Sequence, residues 1–270
     1  MAETERVARI KRLRARVADQ KERIEALRAE LALSRNSVRD VDPDLRLPPE
    51  VTRVVEAVLA ENLSYLTPPN LAALARLVVR TERLGLEGLI IEAGTALGGS
   101  AIAMAAAKNP LRGMKVYDVF GMIPEPSERD GQDVLDRYEK ISAGQSRGIR
   151  GETYYGYRED LLGEVTESFR RHGVEPASHG VELVQGLFQD TIDLDEPVAL
   201  AHLDGDWYDS TMVCLERIAP LLVPGGRLVL DDYYFWSGCR EATNDYFANR
   251  PGFRLEHRAK LHVVRPPSGG

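Results

Sequence analysis

Short apolar runs, each ending in a polar cluster and separated by helical spacing, constrain this 270-residue chain most. Leu89-Ile90-Ile91-Glu92 is followed by small residues from Ala93 to Ser100 and by helical spacing over 101–108. Lys115-Val116-Tyr117-Asp118-Val119 is the next run, so this stretch reads as one βαβ unit. Further β-type runs occupy 181–185, 198–203 and 227–230, and 71–84 has helical spacing. A helix is expected over 211–222, opened by Asp209 or Ser210 as N-cap and closed by Pro224-Gly225-Gly226. The alternation predicts an α/β fold, an open parallel sheet with helices on both faces. Ligands of such sheets sit at the carboxyl ends of the strands, where every polar cluster named below falls.

Residues 1–46 differ from the rest. They carry 12 Arg/Lys and 9 Asp/Glu, a net of 12 − 9 = +3, within a chain of net −7. Ile10, Leu13, Val17, Ile24, Leu27 and Leu31 keep an a/d heptad spacing with Gln20 in one d position. The spacing predicts an N-terminal helix that forms a coiled coil, or a lone amphipathic helix packed on its own domain. Asp42-Pro43-Asp44 and Pro48-Pro49 then mark a linker. The main domain is expected over 50–270, with a loop-and-helix cover at about 121–180 that carries Tyr154, Tyr155 and Tyr157.

The acidic balance, 35 basic against 42 acidic residues, argues against a general nucleic-acid binder. Cys214 and Cys239 form no disulfide framework, which fits a reducing compartment. No apolar run is long enough for a transmembrane helix, and the N-terminus has no apolar signal core. A cytoplasmic location is the expectation.

Gly94-x-x-x-Gly98-Gly99-Ser100 follows a strand and opens a helix. Its spacing is not the G-x-G-x-x-G of dinucleotide enzymes, and Glu92 before it would repel a phosphate. An acid there suits a cationic ligand such as the amino group or sulfonium of S-adenosylmethionine. Asp118, ending the next strand, is placed to accept the hydroxyls of a ribose. The other reading of the turn is tight strand–helix packing.

His202-Leu203-Asp204-Gly205-Asp206 follows one strand, and Asp231-Asp232-Tyr233 follows the next. Their ends are neighbours in a parallel sheet, so several carboxylates converge. Bare carboxylates so close raise one another's pKa, and a divalent cation removes the conflict. Oxygen ligands favour Mg²⁺, Mn²⁺ or Ca²⁺ over zinc. Asp204, Asp231 and Asp232 are the expected ligands. Against this, Asp206 and Asp209 could merely cap the following helix and Asp232 a turn.

These residues resemble a known family, the metal-dependent sugar O-methyltransferases of the macrocin O-methyltransferase (TylF/MycF/NovP-like) type. The resemblance runs over about 60–265 and is carried by the stretch from Leu203 to Met212, by Pro224-Gly225-Gly226 with Asp231-Asp232-Tyr233, and by Gly238-Cys239. Gln185-Gly186-Leu187-Phe188-Gln189-Asp190-Thr191 looks like the family's G-x-F-x-D-T segment beside the cofactor. The resemblance implies a Rossmann-like, class I S-adenosylmethionine-dependent methyltransferase fold. It also implies methyl transfer to a sugar hydroxyl, Mg²⁺ on Asp204, Asp231 and Asp232, and Asp206 as general base, with His202 as a rival base. Glu92, Gly94, Gly98, Ser100, Asp118, Gly186 and Phe188 are the expected cofactor residues, with Tyr65 closing over the site.

Two other readings share the sequence. One is a catechol-type phenol O-methyltransferase, which usually presents an Asn-type third ligand where this chain has Asp231-Asp232. The other is a non-catalytic coiled-coil assembly protein. The expected partners are a sugar-containing small molecule or glycan and, through the N-terminal helix, a second copy of the chain.

Overall fold

The computed structural model describes residues 41–42 and 44–267. The N-terminal segment read above as a coiled coil therefore lies outside the described residues.

Two helices lead into the sheet. Helix α1, Pro49–Ala60, and helix α2, Pro68–Arg83, each begin with a proline whose missing N–H is no loss in a first turn. Strand β1, Leu89–Ala93, is followed by α3, Gly99–Ala107, and by β2, Met114–Asp118. Helix α4, Gln132–Ser142, and helix α5, Leu161–Arg171, separate β2 from β3, Val181–Gln185. A single turn, α6 (Phe188–Thr191), leads to β4, Val198–Leu203. Then come α7, Tyr208–Ile218, β5, Leu222–Leu230, and α8, Ser237–Phe247. Strands β6, Arg254–His257, and β7, Leu261–Val264, end the sheet.

The seven strands lie in the order β3-β2-β1-β4-β5-β7-β6. The first five are parallel, and β7 runs antiparallel to both β5 and β6. The order reverses between β1 and β4, so the crevice above those two strand ends is where such a sheet takes a ligand. Register fixes what meets there. Glu92 pairs with His202, Ala93 with Leu203, and Leu203 with Leu230. Asp204 and Asp231 continue this lattice, their N–H groups donating to the carbonyls of Ala93 and Leu203 at 2.8 and 2.9 Å.

One face of the sheet buries α1, α2, α3 and α5. Helix α3 is apolar on every side, and its Ile102 and Met104 are fully buried, each stabilising by about 1.5–3 kcal/mol. Gly99 lets the α1–α2 loop touch it: its N–H donates to Leu63 O at 3.0 Å, and a Cβ would stand 2.4 Å from that oxygen. The other face buries α7 and α8 through Cys214, Leu215, Ile218, Tyr246 and Phe247. A third cluster, Ile123, Val134, Ile141, Tyr154 and Trp207, forms beneath the β2–α4 segment.

Three sequence expectations change. Helix α7 starts at Tyr208, and neither Asp209 nor Ser210 caps it. Pro224-Gly225-Gly226 lies inside β5 rather than at a helix end, and the β4–β5 register shifts beside it. Within the expected cover, only about 121–157 overlies the cleft. Helix α5 repeats Leu161, Val165 and Phe169 every fourth residue and packs them into the main core.

Candidate functional site

Backbone crowding at the switch point comes first. Gly94, at φ 88°, faces Asp204: a Cβ there would stand 2.0 Å from Asp204 O. Only glycine lets the ends of β1 and β4 come so close. Gly98 and Ser100 are set back from the cleft. A Cβ on Gly98 would meet Val165 at 2.8 Å, and Ser100 is buried in α3. The glycine turn thus serves packing at Gly98 and Gly99 and lines the cleft at Gly94.

Asp118 organises that turn. Its Oδ2 accepts from Thr95 N at 2.7 Å and Ala96 N at 3.1 Å, and its Oδ1 from Phe120 N at 2.7 Å. These bonds hold Ala96 and Phe120 in left-handed conformations that non-glycine residues rarely adopt, each with φ 47°. Burial raises the Asp118 carboxyl although these donors oppose it. Asp118 still faces the cleft, with lone-pair capacity left on Oδ1.

Glu92 does not reach the cleft, contrary to the expectation that it meets a cationic ligand. It is fully buried; its Oε1 pairs with His202 Nδ1 at 3.0 Å and its Oε2 accepts from Thr95 Oγ1 at 3.1 Å. The β1–β4 register sets the two side chains side by side. His202 Nε2 in turn lies 3.3 Å from Asp231 Oδ1, and Asp231 Oδ2 accepts from Lys260 Nζ at 2.5 Å. Burial alone would lower the His202 pKa, but the bonds to Asp231 and Glu92 outweigh it and bring it to about 9. Burial would likewise raise Asp231, yet Lys260 and His202 hold it at about 2. With both ring nitrogens engaged between carboxylates and the residue 1% exposed, His202 is not placed to act as a base.

The carboxylates that converge are Asp204, Asp206 and Asp232, each offering an oxygen within 4.8 Å of the others. Asp206 sits at φ 55°, a left-handed residue in the loop between β4 and α7. Burial, and then the neighbouring Asp232 charge, push Asp204 and Asp206 well above the ordinary carboxylate range. Burial and Asp231 raise Asp232. Asp232 Oδ2 is buried without a hydrogen-bond partner among the described residues. An orphaned buried acceptor facing two more acids fits a hard divalent cation.

The cleft has two lobes that share Gly94, Asp118, Asp204 and Asp206. One, of about 470 Å³, runs past Val119, Leu187 and Phe188. Gly186, at φ 146°, turns the chain into this lobe but does not line it. The other, of about 710 Å³, holds Asp231 and Asp232 and is walled by Tyr65, Tyr154, Tyr155, Trp207, Trp236 and Arg137. Tyr157 is elsewhere: its hydroxyl donates to Ile141 O at 2.5 Å and holds the cover to itself. Lys260, Trp236 and Arg137 were not legible as site residues. Lys260 precedes β7, whose short buried run Leu261-His262-Val263-Val264 is interrupted by a histidine.

Comparisons with known proteins identify the family and the fold. The family described as macrocin-O-methyltransferase (TylF) matches residues 68–252. The 8-demethyl-8-(2,3-dimethoxy-alpha-L-rhamnosyl)-tetracenomycin-C 4'-O-methyltransferase of Streptomyces olivaceus is 33% identical over 168 residues, 60% of this chain and 59% of that protein. Mycinamicin III 3''-O-methyltransferase of Micromonospora griseorubida is 30% identical over 171 residues, 61% of this chain and 62% of that protein. The chain thus matches about three fifths of the length of these relatives. Among solved structures, the O-methyltransferase NovP superposes with a TM-score of 0.62 at 19% identity, covering 81% of this chain and 96% of that one. The calicheamicin methyltransferase CalS11 gives 0.53 at 20% identity, covering 82% and 94%. The fold is that of class I S-adenosylmethionine-dependent methyltransferases, and the chain belongs to the macrocin-O-methyltransferase (TylF) family.

Proposed function

We propose that this chain transfers a methyl group from S-adenosylmethionine to a hydroxyl of a sugar-bearing acceptor, with Mg²⁺ held at the carboxylates. The observation that carries the reading is the convergence of Asp204, Asp206 and Asp232 around the unpartnered Asp232 Oδ2, beside Asp118.

The cofactor's adenosine would lie in the lobe of Leu187 and Phe188, with Asp118 Oδ1 toward its ribose. The acceptor would lie in the aromatic lobe, where Trp236 and Tyr154 offer flat apolar surface to a sugar. Asp204, Asp231 and Asp232 would hold the cation. A divalent cation held there would lower the pKa of an acceptor hydroxyl. Asp206, shared by both lobes, would take the hydroxyl proton. As the acceptor's C–O bond forms, the methyl C–S bond breaks and S-adenosylhomocysteine leaves. Holding oxygen and methyl carbon in line supplies much of the rate.

A second reading gives Asp206, not Asp231, the third ligand position. The 4.8 Å convergence favours it, since Asp231 spends both oxygens on His202 and Lys260. Mn²⁺ titration of Asp206→Asn and Asp231→Asn separates the two, because the true ligand loses the ion.

The test is methyl transfer to a glycoside with adjacent hydroxyls, run beside a catechol, with and without EDTA. The reading expects turnover of the glycoside alone, abolished by EDTA. Activity that survives metal stripping removes the Mg²⁺ assignment, and turnover of the catechol alone moves the acceptor to phenols. Failure to bind S-adenosylmethionine would favour an assembly protein. Among the described residues no helix is long and apolar enough to cross a membrane.

A further inference from the structure

Helices α7 and α8 follow the two acidic loops, and neither carries a side-chain cap of its own. Their N-cap residues are Trp207 and Trp236, which have no capping oxygen. The first N–H groups of a helix need acceptors, and here the cover supplies them from far along the chain. Asp130 Oδ1 accepts from Tyr208 N at 2.8 Å, and Asp133 Oδ2 accepts from Ser237 N at 2.9 Å. Asp133 Oδ1 also accepts from Ser237 Oγ at 2.5 Å. The second Asp130 oxygen, Oδ2, accepts from Ser127 N at 3.0 Å and so fixes its own loop. Between these ties Trp207 Nε1 donates to Pro124 O at 2.9 Å, and the Trp207 and Trp236 rings meet edge to face at 5.9 Å.

Two glycines make the junction possible. A Cβ on Gly238 would stand 2.1 Å from Asp130 Oδ1 and 2.7 Å from Tyr208 N. A Cβ on Gly131 would stand 2.4 Å from Ser237 Oγ. The chain therefore excludes side chains at the points where cover and helix starts touch.

Each acidic loop is thus held at both ends. The sheet lattice fixes Asp204 and Asp231 at the strand ends, and the cover fixes Tyr208 and Ser237 at the helix starts. We propose that Asp130 and Asp133 are positioning residues that cap α7 and α8 from the cover and thereby set the spacing of Asp204 and Asp206 against Asp232. This rests on the reading that those carboxylates hold a divalent cation. The cover is then part of the frame of the ion site. Outer groups that orient ligands typically change metal affinity by about 10–100-fold.

The experiment titrates the full chain with Mn²⁺, reading free ion by electron paramagnetic resonance without cofactor or acceptor. S-adenosylhomocysteine affinity, measured by calorimetry, is the control, since among the described residues Asp118, Leu187 and Phe188 make no hydrogen bond to Asp130, Asp133, Tyr208 or Ser237. Asp130→Ala and Gly238→Ala should weaken Mn²⁺ about tenfold or more and leave S-adenosylhomocysteine affinity within about twofold. Asp130→Asn, whose side-chain oxygen can still accept from Tyr208 N, should stay within about threefold of wild type. Wild-type Mn²⁺ affinity in Asp130→Ala overturns the inference alone. Parallel loss of both ligands in Asp130→Ala and Asp133→Ala also overturns it, because the residues then serve only folding. A wild-type chain that takes up no Mn²⁺ ends the metal reading and this inference with it.

Discussion

Lys260 Nζ lies 2.5 Å from Asp231 Oδ2 and donates again to the Asp231 carbonyl at 3.0 Å. The pair ends a buried chain of alternating charge that runs from Glu92 through His202 and Asp231 to Lys260. It is the antiparallel β5–β7 pairing that brings Lys260, just before β7, to the start of the second acidic loop.

Replacing Lys260 by Met keeps the apolar stem and removes the ammonium. Both side chains are mostly buried, at 15% and 12% exposure, so an uncompensated carboxylate is left inside. Breaking such a pair typically costs about 3–5 kcal/mol, whereas exchanging both partners costs less. Urea unfolding of Lys260→Met should therefore show a loss near 3 kcal/mol, and the double variant with Asp231→Asn should lose less than the two single losses summed. Simple additivity would mean that the two groups do not support each other.

Four of the five parallel strands were readable as apolar runs that reach an acid, at Glu92, Asp118, Asp204 and Asp231, while β3 is half-exposed and ends at Gln185. Strands β6 and β7 were not. Arg254–His257 is an edge strand whose Glu256 pairs with Arg227, Arg258 and its own Arg254, so no apolar run marks it. The carboxylates at 204, 206, 231 and 232 were legible as a group, but their division was not. Which acid meets Lys260 depends on β7, and which meets His202 depends on the β1–β4 register. Glu92 was misplaced for the same reason: its position before a glycine turn suggests a ligand, while its cross-strand neighbour claims it. The cap of α7 could not be read locally, because Asp130 lies 78 residues away from the N–H it accepts.

Acid stability should carry the mark of His262 on β7. Burial, reinforced by the Arg227 and Arg258 charges, lowers its pKa to about 3 from an ordinary value of 6.5. The folded form keeps this ring neutral while the unfolded chain takes up a proton below pH 6.5. Its contribution is therefore intact above that pH and shrinks as pH falls toward 3. Between pH 7 and 5 this amounts to about 2 kcal/mol. His262→Gln should flatten the acid limb by about that much in urea titrations at the two pH values. Glu256, held at about 2 chiefly by Arg227 against its burial, loses its share only at lower pH, below its ordinary 4.5, so the two windows separate.

Asp206→Asn keeps the size of the side chain and removes its ability to take a proton. Under the reading that makes Asp206 the base, kcat should fall about 10²–10⁴-fold while S-adenosylhomocysteine affinity stays unchanged. Single-turnover rates and calorimetry on the same preparation check this. Normal turnover would take the base role from Asp206, and His202 could not inherit it without leaving the carboxylates on both its ring nitrogens.

Metal binding should stabilise the folded chain, because the three convergent carboxylates exist only when the ends of β4 and β5 are neighbours. At Mg²⁺ a hundredfold above its dissociation constant, linkage gives about 2.7 kcal/mol, visible as a rise in Tm that EDTA reverses. Asp232→Asn should abolish that rise. It also exchanges a charge lacking a hydrogen bond at Oδ2 for a neutral amide beside two acids. Without metal the variant should therefore be no less stable than the wild type, and repulsion relieved from Asp204 and Asp206 should leave it slightly more so. A Tm that rises equally with Mg²⁺ in both proteins would place the ion away from Asp232.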